Sequence, residues 1–188
     1  MVLDTSQTGL AIHETAIPGL FEIDLEVHGD NRGWFKENYQ QEKMEALGLP
    51  HFETVQNNIS FNSEMGIIRG LHAEPWEKFI SVANGSVFGA WVDLRKGETF
   101  GKVVTLKIDP SKAVFVSRSI ANGYQTLEPN VTYTYLVNEH WQPGVKYLAV
   151  NVFDPILAIN WPIAAKDAII SEKDNTNPLL KEIAPLEN

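Results

Sequence analysis

Between Gly66 and Val152 the chain reads as short apolar runs broken by turn chemistry. The runs are Lys78–Val82, Val87–Val92, Lys102–Ile108, Ala113–Val116, Thr132–Val137 and Tyr147–Val152. Asn84-Gly85 separates the first two and predicts a hairpin. Lys96-Gly97, Asp109-Pro110, Ala121-Asn122-Gly123, Glu128-Pro129-Asn130 and Gln142-Pro143-Gly144 mark the other breaks. Many short strands at spacings of roughly 8–12 residues predict an antiparallel sandwich or barrel. Helical periodicity is scarce. Gln40–Leu47 is the best segment, with Met44 and Leu47 on one face and Gly48 as a stop. The stretch after Trp161 is irregular, with room for one short helix. The first twenty residues read as an arm or an edge strand that covers an unpaired edge.

A chain of 188 residues suits one domain with a real core, spanning 1–188 with an N-terminal arm to about 20 and an irregular end from about 163. Hydrophobic residues make up 44% and charged residues 21%, an ordinary balance for a globular protein. There is no apolar run long enough for a membrane span, and the start lacks the pattern of a signal peptide. With no cysteine, the chain can form no disulfide, zinc–thiolate site or thiol nucleophile. A cytoplasmic setting is the expectation. The net charge of −9 repels polyanions, so nucleic acid is not an expected partner. A small anionic ligand remains compatible where basic residues converge.

They converge in Gly66-Ile67-Ile68-Arg69-Gly70-Leu71-His72-Ala73-Glu74-Pro75-Trp76-Glu77-Lys78. Histidine exchanges a proton near neutral pH. Arginine and lysine hold phosphates or steady an oxyanion. In a regular strand Arg69 and His72, three positions apart, face opposite sides. One pocket receives both only if the strand bends, and Gly70 is the place for a bulge. No His-x-His occurs among the five histidines, so no transition-metal site is expected. Thr132-Tyr133-Thr134-Tyr135 puts two tyrosines on one strand face, either as packing or as a proton donor, and alternation does not choose between them. Arg32 reads equally as a solvated loop residue or as a phosphate ligand. Gln56-Asn57-Asn58 is an amide cluster suited to sugar or phosphate oxygens. Trp141 is either core or a stacking face.

The ordered set Asp30-Asn31-Arg32-Gly33-Trp34-Phe35-Lys36-Glu37, Gln56-Asn57-Asn58-Ile59-Ser60, Ile68-Arg69-Gly70-Leu71-His72, Tyr135-Leu136-Val137-Asn138, Ile159-Asn160-Trp161-Pro162 and Ser171-Glu172-Lys173-Asp174 resembles the dTDP-4-dehydrorhamnose 3,5-epimerase family. The likeness runs from about Gly19 to Leu180. It implies a mainly β, cupin-type double-stranded jelly roll with few short helices. It also implies a homodimer, no metal and no cofactor, and a dTDP-4-keto-6-deoxyhexose substrate. By resemblance His72 is the base, Tyr135 the opposing acid, Asp174 the partner of His72, and Lys78 the group that steadies the enolate. Arg69 and Arg32 are implied pyrophosphate ligands, Arg32 coming from the partner subunit. Glu37, Gln56, Asn57, Asn58, Asn122, Trp141 and Lys173 fall on substrate-binding positions, with Trp141 stacking on thymine. Three departures stand out. Asn122 replaces a histidine common in the family, Glu77 precedes Lys78 where a glutamine is common, and Lys146 lies near the place of a usual acid.

Overall fold

The computed structural model describes residues 9–144 and 147–187. The first eight residues of the expected arm, and Lys146, lie outside the described residues. In chain order the strands are β1 (Ala11–Glu14), β2 (Leu20–Asp24), β3 (Val27–Asp30), β4 (Gly33–Lys36), β5 (Gln56–Asn62), β6 (Ile67–Ala73) and β7 (Lys78–Asn84). They continue as β8 (Val87–Asp93), β9 (Val103–Ile108), β10 (Lys112–Val116), β11 (Ile120–Thr126), β12 (Val131–Val137), β13 (Leu148–Ala149) and β14 (Ile169–Ile170). Helix α1 covers Gln41–Ala46 and α2 covers Glu172–Asn175. One sheet has the order β1-β2-β10-β7-β12-β5 and the other β13-β6-β11-β8-β9, with β14 added in parallel to β6. Strands β3 and β4 form a separate hairpin.

Apolar residues from both sheets meet in an interior core that includes Leu20, Ile80, Val82, Val114, Val116 and Val131 from the first sheet and Val87, Trp91 and Ile120 from the second. Both outer faces are also covered. Helix α1 and the chain after it place Met44, Leu49 and Phe52 against Phe79 and Phe115 of the first sheet. The C-terminal segment places Leu157, Leu180 and Ile183 against Ile68, Leu71 and Val92 of the second. A strand covered on both faces has no solvent side, so it reads as a continuous apolar run rather than an alternation. Lys78–Val82 of β7 and all of β11 are buried in this way.

Several local signals acquire a different meaning in this packing. The Asn84-Gly85 turn does not close a hairpin. Strand β7 pairs with β10 and β12, whereas β8 pairs with β11 and β9, so the turn carries the chain from one sheet to the other. Turn chemistry encodes a reversal of direction and is silent about pairing. Ala121-Asn122-Gly123 is not a turn but part of the central strand β11. Gly123 lacks a side chain because a Cβ there would lie 2.7 Å from the Arg69 carbonyl oxygen. The run expected over Tyr147–Val152 shrinks to the two residues of β13. The segment after Trp161 is irregular as expected, yet it contributes β14, α2 and two 3₁₀ turns that cover the second sheet. The edge strand expected near the N-terminus is β1, and the expected helix is α1, capped by the Gln40 side chain at the Lys43 N–H.

The bend required at Gly70 is present. Along β6 and β11, His72 faces Asn122 and Arg69 faces Tyr124, so β6 uses three steps where β11 uses two. The extra residue is a bulge, and Gly70 within it has φ +124°, a region that L side chains rarely adopt. A Cβ at Gly70 would lie 2.6 Å from Gly123 Cα. Gly70→Ala is therefore expected to lower stability by at least about 2 kcal/mol. Urea unfolding checks this, and a loss below about 0.5 kcal/mol would show that the bulge tolerates a side chain.

Candidate active site

A cavity of about 390 Å³ lies between the two sheets and adjoins the interior core, with which it shares Tyr124 and Tyr133. Its walls come from both sheets. Strand β5 contributes Gln56, Asn58 and Ser60, which share one face by strand alternation. Strand β12 contributes Tyr133 and Tyr135, and β7 contributes Lys78 at its first residue. From the facing sheet come Arg69 and His72 on β6 and Asn122 and Tyr124 on β11. Glu74 and Trp76, between β6 and β7, and Trp141 and Tyr147, between β12 and β13, add to the lining.

His72 is held from behind. Its Nε2 lies 2.8 Å from Asp174 Oδ1, although 102 residues separate the two. Asp174 Oδ2 accepts the Gly70 N–H at 3.3 Å, so the bulge and the carboxylate brace each other. Helix α2 presents Asp174 because Ser171 caps it, its Oγ accepting the Asp174 N–H at 3.1 Å. Burial opposes ionisation of Asp174. The hydrogen bond and charge of His72, the Gly70 N–H and the charge of Lys173 outweigh it and hold the carboxyl below its usual range. A carboxylate at Nε2 keeps the proton there and leaves Nδ1 as the basic nitrogen.

On the other wall the phenols stay protonated. Burial, followed by the charge of Glu74, pushes the Tyr135 hydroxyl up to about 12. Tyr133 is more deeply buried and stacks on Tyr124 with ring centroids 4.1 Å apart. Both tyrosines of the β12 pair thus line the cavity, and Tyr135 is the more open of the two. Lys78 Nζ lies 2.6 Å from Glu74 Oε2, with both side chains almost fully enclosed. Burial pulls the Lys78 amine below its ordinary value, and Glu74 opposes that pull. Arg69 Nε donates to Asn62 Oδ1 at 3.0 Å, which fixes its direction.

Four expected site residues lie elsewhere in this protomer. Asn57 points away from the cavity because it alternates with Gln56 and Asn58, and its Oδ1 accepts from Thr134 Oγ1 at 2.9 Å. Arg32 sits on the exposed β3–β4 turn, paired with Asp30. Glu37 follows that hairpin and pairs with Lys43 beside a smaller cavity. Lys173, on α2, places Nζ 5.5 Å from the Tyr147 ring centre and does not line the cavity. Trp141 is 55% exposed at the rim, so it is not core. Sequence reasoning left out Glu74, Tyr147, Tyr124, Ser60 and Trp76. Two had a legible signal, because Glu74 stands two positions after His72 and Ser60 two after Asn58, the spacing of one strand face. Tyr147 carried none, since it enters from an irregular connection and packs edge-on against His72 at 5.7 Å between ring centres.

A basic histidine nitrogen facing protonated phenols, with a buried amine between the walls, is equipment for moving a proton on and off carbon. Fold and site together define a cupin-type jelly roll of the epimerase class. Residues 14–182 match the model of the dTDP-4-dehydrorhamnose 3,5-epimerase family. The chain belongs to that family. It is 55% identical to a protein named RmlC homolog from Streptococcus pyogenes, over 90% of this chain and 89% of the other. It is similar to RmlC of Streptococcus suis, solved with dTDP-D-xylose, with a TM-score of 0.91, 52% identity and 95% of each chain covered. It is also similar to the Legionella pneumophila enzyme solved with dTDP-4-keto-L-rhamnose, with a TM-score of 0.83, 30% identity and coverage of 93% and 94%. Among the described residues no group of three or more His, Asp or Glu side chains is placed to hold a metal, and no helix is long and apolar enough to cross a membrane.

The Asp174 carboxyl ionises at lower pH folded than unfolded, so its stabilisation is complete above the unfolded value near 4 and fades as pH falls through the folded one. Asp174→Asn is therefore expected to be less stable than the native chain at pH 7, with a gap that narrows below about pH 4. Urea melts at both pH values test this. A gap independent of pH would mean that the Asp174–His72 contact is not ionic.

Proposed function

We propose that the protein epimerises dTDP-4-dehydro-6-deoxy-D-glucose at C3 and C5, giving dTDP-4-dehydro-L-rhamnose. One observation carries this reading. His72 on β6 and Tyr135 on β12 stand on opposing walls of one cavity, so a sugar ring between them presents one face to a base and the other to an acid. The ligands in the two solved relatives, dTDP-D-xylose and dTDP-4-keto-L-rhamnose, support it.

The C4 ketone acidifies the hydrogens on C3 and C5. His72 Nδ1 takes one of them, and the C–H electron pair moves into an enolate whose charge settles on the C4 oxygen. Lys78 donates a hydrogen bond to that oxygen. Tyr135 delivers its proton to the opposite face of the carbon, and the pair moves back to form the new C–H bond. Histidine then loses a proton and the phenolate regains one through solvent, which readies the site for the second carbon. Asp174 supports the imidazolium. Arg69 faces the pyrophosphate, Gln56 and Asn58 contact the nucleotide, and Trp141 stacks on the base. In this reading no metal or organic cofactor takes part, and the reaction is cytoplasmic.

Arg32 and Glu37 reach a site only across a homodimer in this reading. Trp34 and Phe35 on the hairpin, and Ile59 and Phe61 on the edge strand β5, are 47%, 64%, 69% and 60% exposed. Such apolar side chains at a hairpin and an open edge favour association of two copies. Mixing Arg32→Ala with His72→Asn protomers is expected to restore activity that neither homodimer has at low substrate. No recovery after subunit exchange would place Arg32 in its own protomer's site.

The chemistry is tested by NMR in deuterated buffer after exhaustive chelation. The native protein is expected to exchange both C3 and C5, and exchange at one carbon alone would make it a mono-epimerase. His72→Asn should lower exchange by at least about 10²-fold with the fold intact. Tyr135→Phe should retain exchange and lose net epimerisation, whereas Tyr133→Phe should be milder on both. The reverse order would assign the acid to Tyr133.

A further inference from the structure

We propose that Glu74 is a positioning residue for the enolate step: it keeps the Lys78 amine charged and aims its remaining N–H into the cavity. The proposal rests on the reading of Lys78 as the donor to the C4 oxygen. Glu74 and Lys78 stand at the two ends of the tight connection between β6 and β7, and the buried Trp76 anchors the chain between them. Their side chains are 9% and 7% exposed, and Lys78 Nζ lies 2.6 Å from Glu74 Oε2. An amine taken out of water loses its proton readily unless a negative charge lies beside it. Glu74 supplies that charge within the cavity wall.

Asn122 locks the pair. Its Nδ2 donates to the His72 carbonyl at 2.8 Å and to Glu74 Oε2 at 3.3 Å, while its Oδ1 accepts from Lys78 Nζ at 3.3 Å. The amide therefore reads both ends of the ion pair, a donor toward the carboxylate and an acceptor toward the ammonium. A Lys78 ammonium has three hydrogens. Two meet Glu74 and Asn122, and the third has no hydrogen-bond partner among the described residues, with Nζ 5.2 Å from the Tyr135 ring centre. Since Lys78 lines the cavity, that third N–H is the donor available to an oxyanion. The same carboxylate raises the hydroxyls of Tyr135 and Tyr147, after burial, and so favours their protonated, proton-giving form. The other charged or titratable groups around the pair are Arg69 and His72 on β6, Tyr124 on β11, Tyr133 and Tyr135 on β12, Tyr147 before β13 and Asp174 on α2.

The test uses the full-length protein as Glu74→Gln, nearly equal in shape, and as Glu74→Asp, which keeps the charge. Turnover on the 4-keto sugar is measured across pH 6–10. Lys78 protonation is followed by NMR of lysine-labelled protein, its signal assigned with Lys78→Arg. Glu74→Gln is expected to lower kcat by on the order of 10²-fold near pH 8 with little change in KM. The alkaline limb of its profile should move to lower pH, Lys78 should titrate at lower pH than in the native protein, and Glu74→Asp should restore much of both. The acid limb should be common to all three. A native kcat and profile in Glu74→Gln overturns the proposal. So does a loss of kcat with the Lys78 titration unmoved, which would mark Glu74 as packing alone. Should Glu74→Gln not fold, Glu74→Ala, which also removes the charge, is read in the same two ways, and no difference from native in either overturns the proposal. If the native protein exchanges neither C3 nor C5, the functional reading fails, and the Lys78 titration still decides whether Glu74 holds that proton.

Discussion

The contact of Gly70 against Gly123 is the constraint on which the rest of the site depends. A Cβ at Gly70 would lie 2.6 Å from Gly123 Cα, and one at Gly123 would lie 2.7 Å from the Arg69 carbonyl oxygen. Two bare backbones are thus pressed together where β6 carries an extra residue. The bulge turns Arg69 and His72 into the same cavity and sends Leu71, fully buried, into the outer core. It also frees the Gly70 N–H for the carboxylate that braces His72. One backbone irregularity thereby sets His72, its carboxylate partner and the neighbouring guanidinium.

Around that contact the chain resolves a conflict of charge. The protein carries a net charge of −9, yet the ligand implied by its site is anionic. Local pairing reconciles the two. Asp174 is matched to His72 and Glu74 to Lys78, each pair largely enclosed. Arg69 is held by the neutral Asn62 amide oxygen, so its charge is not cancelled by a carboxylate hydrogen bond there. The walls therefore differ in duty. The β6 wall offers an imidazole and a guanidinium, and the β12 wall offers protonated phenols.

The irregular C-terminal segment is as important to this chemistry as the strands. It buries Leu180 and Ile183 on the second sheet and adds β14 along β6. Short as it is, α2 places Asp174 behind the imidazole. Loss of this cover would expose the outer face of β6 and remove the partner of His72 together, so stability and catalysis share one element.

The sequence by itself determined the strand-rich class, the position of α1, the need for a bend at Gly70 and the concentration of basic groups near His72. These are legible because strand alternation, helix spacing and glycine conformational freedom act over a few residues. Residue order matched to the family added the roles proposed for Tyr135, Asp174 and Lys78. Only the tertiary structure decided the rest. Asn84-Gly85 proved to be a passage between sheets, and Ala121-Asn122-Gly123 a buried strand, because pairing partners lie far along the chain. Asn57 and Asn58, adjacent in sequence, went to opposite faces once the register of β5 was set. Glu74 and Asn122 met Lys78 from two different segments. The contact of Asp174 with His72 spans 102 residues, and no local periodicity encodes a distance of that kind.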